Sequence, residues 1–241
     1  MICCLLLFLV TPAFGDDIPL FKKIVEENSK INTIDAEIVQ YIYTPEHYRE
    51  IFKGRYRADS NYRFRIDYTF PQKQIIMNNG GRLIWYYPTE KILYRVSKGD
   101  SISHQSNINP LREYEKNFDK QYEVNYRGRN LYGFFKMAHQ FVIRDKKRGL
   151  ITDIKVDTKK MVILTKIVKG RDGIEIMKEQ YHGYKKIGNI YFPSRIEVYA
   201  RTANGITSNI TEYNNVQLNY AITDQVFHID FPKDIRIKYL H

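Results

Sequence analysis

The six histidines, His47, His104, His139, His182, His228 and His241, are the residues best able to bind a metal or move a proton near neutral pH. None stands in a His-x-His or His-Glu-x-x-His spacing, the arrangements by which one strand or one helix face presents two ligating groups. No Gly-x-Ser-x-Gly elbow raises a serine nucleophile, and no glycine-rich loop offers its backbone N–H groups to a phosphate. The cysteines, Cys3 and Cys4, both fall in an apolar N-terminal run, so the chain after it has no thiol nucleophile, disulfide or cysteine metal site. Asp67, Asp153 and Asp157 sit in β-rich runs among basic residues, where solvated faces or ion pairs explain them more simply than a glycosidase pair. The stretch Tyr62-Arg63-Phe64-Arg65 has the composition of a platform for single-stranded nucleic acid. On a strand, however, its rings and its guanidinium groups fall on opposite faces. The sequence therefore names no catalytic residue, no metal and no cofactor, and it points away from nucleic acid.

The elements around these residues are mostly strands. Asn79-Gly80, Asp172-Gly173, Gly188-Asn189 and Asn204-Gly205 are hairpin turn pairs, each joining runs rich in Tyr, Ile, Val and Phe. Hairpins make neighbours antiparallel, which predicts a meander rather than a parallel α/β sheet. Alternation is clear in several runs. Tyr62, Phe64, Ile66, Tyr68 and Phe70 share one face against Arg63, Arg65, Asp67 and Thr69 on the other. Phe52, Gly54, Tyr56 and Ala58 alternate with Lys53, Arg55 and Arg57, and Leu83, Trp85 and Tyr87 share a face. One side of the sheet is apolar and the other polar. Two segments have helical spacing instead. After Asp17 and Pro19, the residues Leu20, Phe21, Ile24, Val25 and Ile31 form one stripe; after Asn109-Pro110, Leu111, Tyr114 and Phe118 form another. A sheet of about ten strands tends to curl. With two short amphipathic helices to cover it, the expected fold is mainly β, a single curled antiparallel sheet forming an open, incomplete β-barrel capped by those helices.

At its N-terminus the chain has an uncharged apolar run, Met1 to Val10, then Thr11-Pro12-Ala13-Phe14-Gly15. Ala13 and Gly15 suit the small-residue positions of a secretory cleavage site, which predicts a signal peptide over 1–15 and a mature chain from Asp16. The run is shorter than the roughly 20 apolar residues that span a bilayer. Residues 16–241 read as one domain with a core large enough to stand without disulfides. The net charge of +11 is spread along the chain. It suits solubility, attraction to an anionic membrane or partner, or nucleic-acid binding, and export disfavours the last.

One segment carries a family resemblance. It reads Gly54-x-Tyr56, Tyr62-Arg63-Phe64-Arg65-x-Asp67-Tyr68, Pro71, Gln74-Ile75, Gly80 and Leu83-x-Trp85-x-Tyr87-Pro88. This resembles the LolA-like outer-membrane lipoprotein carriers. Asn215-Val216-Gln217-Leu218-Asn219 and Asp224-x-x-Phe227-x-Ile229-x-Phe231-Pro232 are similar to that family's closing strands. The resemblance implies a soluble, monomeric periplasmic carrier that takes lipoproteins from an inner-membrane export complex towards an outer-membrane acceptor, their acyl chains buried on the apolar face. It also makes Phe21, Ile24, Val25, Leu111, Tyr114 and Phe118 lid residues. The Arg-Pro pair of the best-known carriers, whose arginine ties barrel to lid, is replaced here by Ser60 and Asn61. Either Arg57 or Arg63 takes over that tie, or the lid is held in another way.

An acyl chain of about sixteen carbons costs roughly 12 kcal/mol to leave in water, at about 0.8 kcal/mol per methylene. A carrier must offer broad apolar contact and still release its load, a task suited to aromatics and Met. The expected ligand face is Phe52, Tyr56, Phe64, Ile66, Ile75, Met77, Leu83, Trp85 and Tyr87. On residues alone, Phe64, Ile66 and Tyr68 read first as ordinary core, Trp85 equally as core anchor or cavity wall, and both helical stripes by default as core packing. The alternative function is an envelope sensor or a free-lipid-binding module of the same fold.

Overall fold

The computed structural model describes residues 18–46, 49–96, 109–115, 118–132 and 136–240. The expected signal peptide lies outside the described residues. Helix α1 (Ile18–Ser29) leads into fourteen strands. These are β1 (Thr33–Tyr43), β2 (Arg49–Asp59), β3 (Phe64–Phe70), β4 (Gln74–Asn78), β5 (Leu83–Tyr87) and β6 (Ile92–Val96), then β7 (Tyr122–Tyr132), β8 (Lys136–Asp145), β9 (Ile151–Asp157) and β10 (Val162–Lys169). The chain closes with β11 (Glu175–Ile187), β12 (Ile190–Thr202), β13 (Gly205–Leu218) and β14 (Arg236–Leu240). Between β6 and β7 lie a 3-10 turn, Arg112–Tyr114, and a one-turn helix α2, Phe118–Gln121.

All fourteen strands form one sheet, ordered β14-β6-β5-β4-β3-β2-β1-β13-β12-β11-β10-β9-β8-β7. Its ends, β14 and β7, are not paired with each other, so the sheet stays open. The four turn pairs read from the sequence each connect antiparallel neighbours. Two expectations are corrected. The sheet is not wholly antiparallel, because the C-terminal strand β14 runs parallel to β6 after the chain crosses back along the sheet. The second helical stripe is broken into the 3-10 turn and α2 rather than forming one helix.

Directly opposed residues on neighbouring strands point to the same face, so one face can be followed across the molecule. Trp85 opposes Ile76, Ile76 opposes Ile66, Ile66 opposes Tyr56 and Tyr56 opposes Ala36. Four residues along β1 from Ala36, Gln40 opposes Thr211, Thr211 opposes Ile196 and Ile196 opposes Tyr181. Lys166, Ile154, Phe141 and Tyr126 continue the path to β7. This inner face carries two core clusters. One, on the β7–β11 half, includes Phe21, Ile24, Leu111, Phe141, Ile154 and Ile163. The other, around β1, β2, β3 and β12, includes Ile31, Ile34, Ala58, Phe64 and Phe192. The outer face is polar and ion-paired: Arg55 with Asp35, Arg65 with Asp67, and Arg195 with Glu197. Asp153 accepts from Gln140, and Asp157 accepts the N–H of Lys159 in a turn, so the strand carboxylates do structural work.

Candidate ligand face and lid

Seven of the nine residues expected on the ligand face lie together. Phe52 opposes Gln40 and Tyr56 opposes Ala36 on β1, while Ala58 opposes Phe64, Tyr56 opposes Ile66, and Ile76 opposes Trp85. By strand alternation Leu83 and Tyr87 join Trp85. Their rings make three separate contacts: Phe52 to Tyr68 at 5.3 Å, Tyr56 to Tyr213 at 6.2 Å, and Trp85 to Tyr87 at 5.6 Å. Phe64 is buried in core, whereas Phe52, Tyr56, Ile66, Leu83, Trp85 and Tyr87 are half-buried. Gly54 sits between Phe52 and Tyr56, and a Cβ there would come within 2.3 Å of the Asp67 carbonyl oxygen. The bulge at this point brings β2 and β3 too close for any side chain.

Ile75 and Met77 are not part of this face. Ile75 opposes Asp67 and Met77 opposes Arg65, which places both on the outer side. There they pack with Ile84, Tyr86 and Leu93 under Ile229, Phe231 and Ile235. The run Ile75-Ile76-Met77 is apolar on both sides because the C-terminal segment covers the outer one, and alternation cannot choose a side in such a run.

The six expected lid residues do meet. Phe21 stacks on Phe118 at 5.6 Å and contacts Tyr114 edge-on at 5.8 Å, and Ile24, Val25 and Leu111 are buried beside them. This unit lies on the β7–β11 half of the inner face, where Phe21 meets Phe141 at 5.2 Å. It does not lie on the β2–β5 half. An open groove of about 680 Å³ lies beside α1, lined by Val25, Tyr114 and Phe118 with Lys22, Glu26 and Ser29. None of the nine expected ligand-face residues lines it.

Among the described residues, neither Arg57 nor Arg63 ties the lid. Arg57 pairs with Asp67, and Arg63 with Asp59 and Asp224. The tie is made by Lys166 on β10, whose ammonium donates to Glu113 at 3.1 Å and to the Pro110 carbonyl at 3.2 Å, assisted by Arg148 at 3.4 Å from Glu113. Burial alone would raise the Glu113 pKa, but Lys166 and Arg148 outweigh it and hold the carboxyl below its usual range. Ser29 donates to Glu115 at 2.9 Å, and Asn109 donates to the same carboxylate at 2.8 Å, joining α1 to the turn.

Sequence reasoning missed the centre of the inner face. Gln40 donates to Thr211 at 3.0 Å and accepts from the Tyr68 hydroxyl, and Thr211 donates to Asn209 at 3.2 Å. Burial pushes the phenols of Tyr56, Tyr68 and Tyr213 well up, so all three stay neutral at any physiological pH. The signal for this line was present. Ile34, Ala36, Ile38, Gln40 and Ile42 alternate along β1, with an amide where the pattern calls for an aliphatic.

No protein-family model matches the chain, and no curated protein matches it by sequence. Solved structures do match. A LolA superfamily protein from Nitrosomonas europaea aligns over 88% of this chain and 98% of its own, with a TM-score of 0.60 at 15% identity. A DUF1329 family protein from Desulfovibrio piger covers the same shares, with a TM-score of 0.64 at 12% identity. A domain named for outer-membrane lipoprotein sorting, from Vibrio parahaemolyticus, aligns over 85% of this chain and 94% of its own, with a TM-score of 0.60 at 10% identity. At such identities the likeness is one of architecture, and what it establishes is that this chain has a LolA-like fold.

Proposed function

We propose that this protein is a non-catalytic periplasmic carrier that binds lipoprotein acyl chains on the β1–β5 half of its inner face and shuttles lipoproteins from inner to outer membrane. In this reading residues 1–15 are the signal peptide and 16–241 the single binding domain. Loading is by an inner-membrane export complex and delivery is to an outer-membrane acceptor. Phe52, Tyr56, Phe64, Ile66, Leu83, Trp85 and Tyr87 are the contact residues, and α1 with residues 109–121 is the lid.

The observation that carries the reading is the division of labour across one open face. Helical segments pack on the β7–β11 half, while half-buried aromatics gather on the other. Apolar rings gathered on one part of a face, rather than scattered singly, are what a contact surface requires. Two named neighbours, the LolA superfamily protein and the lipoprotein-sorting domain, support an acyl ligand. Among the described residues no helix is long and apolar enough to cross a membrane.

The test uses the single tryptophan. A lipopeptide with brominated acyl chains should quench Trp85 fluorescence saturably, and Trp85→Phe should abolish the signal while leaving binding measurable by calorimetry. Saturable binding with no quenching would remove Trp85 from the face. No binding of any acylated probe would end the carrier reading.

A further inference from the structure

The meander brings lysines that are far apart in sequence to one end of the sheet. In the run β12-β11-β10-β9-β8-β7 every neighbour is antiparallel, so the β11–β12, β9–β10 and β7–β8 connections all turn at the same end. Lys185 and Lys186 are exposed beside the first of these, Lys159 and Lys160 in the second, and Lys136 beside the third. Lys160 stands over the Tyr191 ring of the neighbouring hairpin, 5.6 Å from its centre. His139 opposes Val156, which sets the β7–β8 connection level with the turn after Asp157. The lysines therefore form one row across six strands, which at roughly 4.8 Å spacing span about 24 Å. Over residues 129–137, 157–162 and 184–191 the one acid is Asp157. Its carboxylate accepts the N–H groups of Lys159 and Lys160 within its own turn.

An apolar pair stands at the end of this row. Leu131 and Met137 oppose each other beside the β7–β8 connection, so they share one face, and they are 65% and 48% exposed. The opposite end of the same strands is built differently. Ile174 is exposed there too, but it stands beside Asp172 and Glu175. Carboxylates hold an apolar side chain away from an anionic surface, whereas lysines draw it in. The aliphatic pair also narrows the partner. A single-stranded nucleic acid would satisfy the lysines, but its bases call for flat rings to stack on. A bilayer offers headgroup phosphates and, just beneath them, hydrocarbon.

We propose that this end of the β7–β12 half docks on a membrane surface rich in anionic phospholipid. The lysine row lies on the headgroups, and Leu131 and Met137 enter the upper acyl layer. The contact does not rest on the carrier reading, whose ligand face is on β1–β5. It does reach α1, because Asn28 donates to the Met161 carbonyl beside the middle turn at 3.0 Å.

Sedimentation with vesicles tests the docking. The protein should bind vesicles of equal parts phosphatidylcholine and phosphatidylglycerol at least about tenfold more tightly than phosphatidylcholine alone. Lys159→Gln/Lys160→Gln should lower that binding about 25-fold, roughly fivefold for each lysine near the surface. Leu131→Ser/Met137→Ser should lower it about tenfold or more, and both positions are exposed enough for the fold to tolerate the change. Lys73→Gln/Lys147→Gln removes the same charge from turns at the opposite end and should change binding less than about twofold. Circular dichroism checks that each variant folds, and the lysine and apolar variants decide separately. Three results overturn the assignment: no preference for the anionic vesicles, an equal loss in the opposite-end variant, or full binding by the folded apolar variant. In the last case charge alone acts, and any polyanion would serve.

Discussion

Lys166 is a cation set in an apolar half-sheet, with Ile154 opposite it on β9, and its partners explain why it is tolerated there. It holds Glu113 and the Pro110 carbonyl, fastening the turn before α2 to the sheet, and it stands opposite Glu179 on β11. Replacing it by Met leaves Glu113 with Arg148 alone. We expect Lys166→Met to cost about 2–3 kcal/mol in urea unfolding, less than a fully enclosed pair because 24% of the Glu113 side chain is exposed. The double variant Lys166→Met/Glu113→Leu should recover part of that loss, since it removes one of the two carboxylates that Lys166 faces, Glu179 on β11 being the other. Acid acts on the same tie. The folded-state pKa of Glu113 is depressed, so its contribution is complete above the unfolded carboxyl value, about 4.3, and is lost as pH falls through the folded value. Asp145, held down by Arg148 and backbone N–H groups against its own desolvation, adds a loss of the same sign. Urea midpoints should therefore fall between pH 5 and pH 3, and Glu113→Gln should be less stable at pH 7 but show a shallower fall.

At the scale of elements, α1, residues 109–115 and α2 behave as one packed unit, because Phe21 contacts Tyr114, Phe118 and Phe141 together. Phe21→Ala should cost about 3–5 kcal/mol, as for other fully buried rings. It should also raise amide exchange in α1 and in the 112–121 segment together while the β1–β5 amides keep their protection. Exchange confined to α1 would show that the two segments are held independently. The same elements show what could be read before any coordinates. Alternation in Phe64-Arg65-Ile66-Asp67-Tyr68 placed β3 correctly, because its outer positions are charged. It failed for Ile75 and Met77, because β4 is covered on both sides by parts of the chain far apart in sequence. Helical spacing identified the stripe of Phe21, Ile24 and Val25, but spacing within a helix does not reveal which half of a distant sheet it will meet. Lys166 was invisible for a related reason. A lone lysine in Thr165-Lys166-Ile167 looks like the solvent side of a strand, and a β-bulge between Ile163 and Thr165 turns it inward.

For the molecule as a whole, the division between an apolar inner face and an ion-paired outer face sets how binding should respond to its surroundings. The net charge of +11 is large, and if the ligand were held by its charge, affinity would fall steeply with salt. The face assigned here carries aromatics, aliphatics and a neutral hydrogen-bonded line, with its cations on the opposite side in pairs such as Arg55–Asp35 and Arg65–Asp67. Acyl binding should then change less than about threefold between 50 mM and 500 mM NaCl, a range over which the Debye length shrinks from roughly 14 Å to 4 Å. Calorimetry across temperature should give a negative heat-capacity change, the mark of apolar surface leaving water. A steep loss of affinity with salt, or a heat-capacity change near zero, would place the ligand on the basic outer surface. The curled apolar face would then serve as the core of the fold alone.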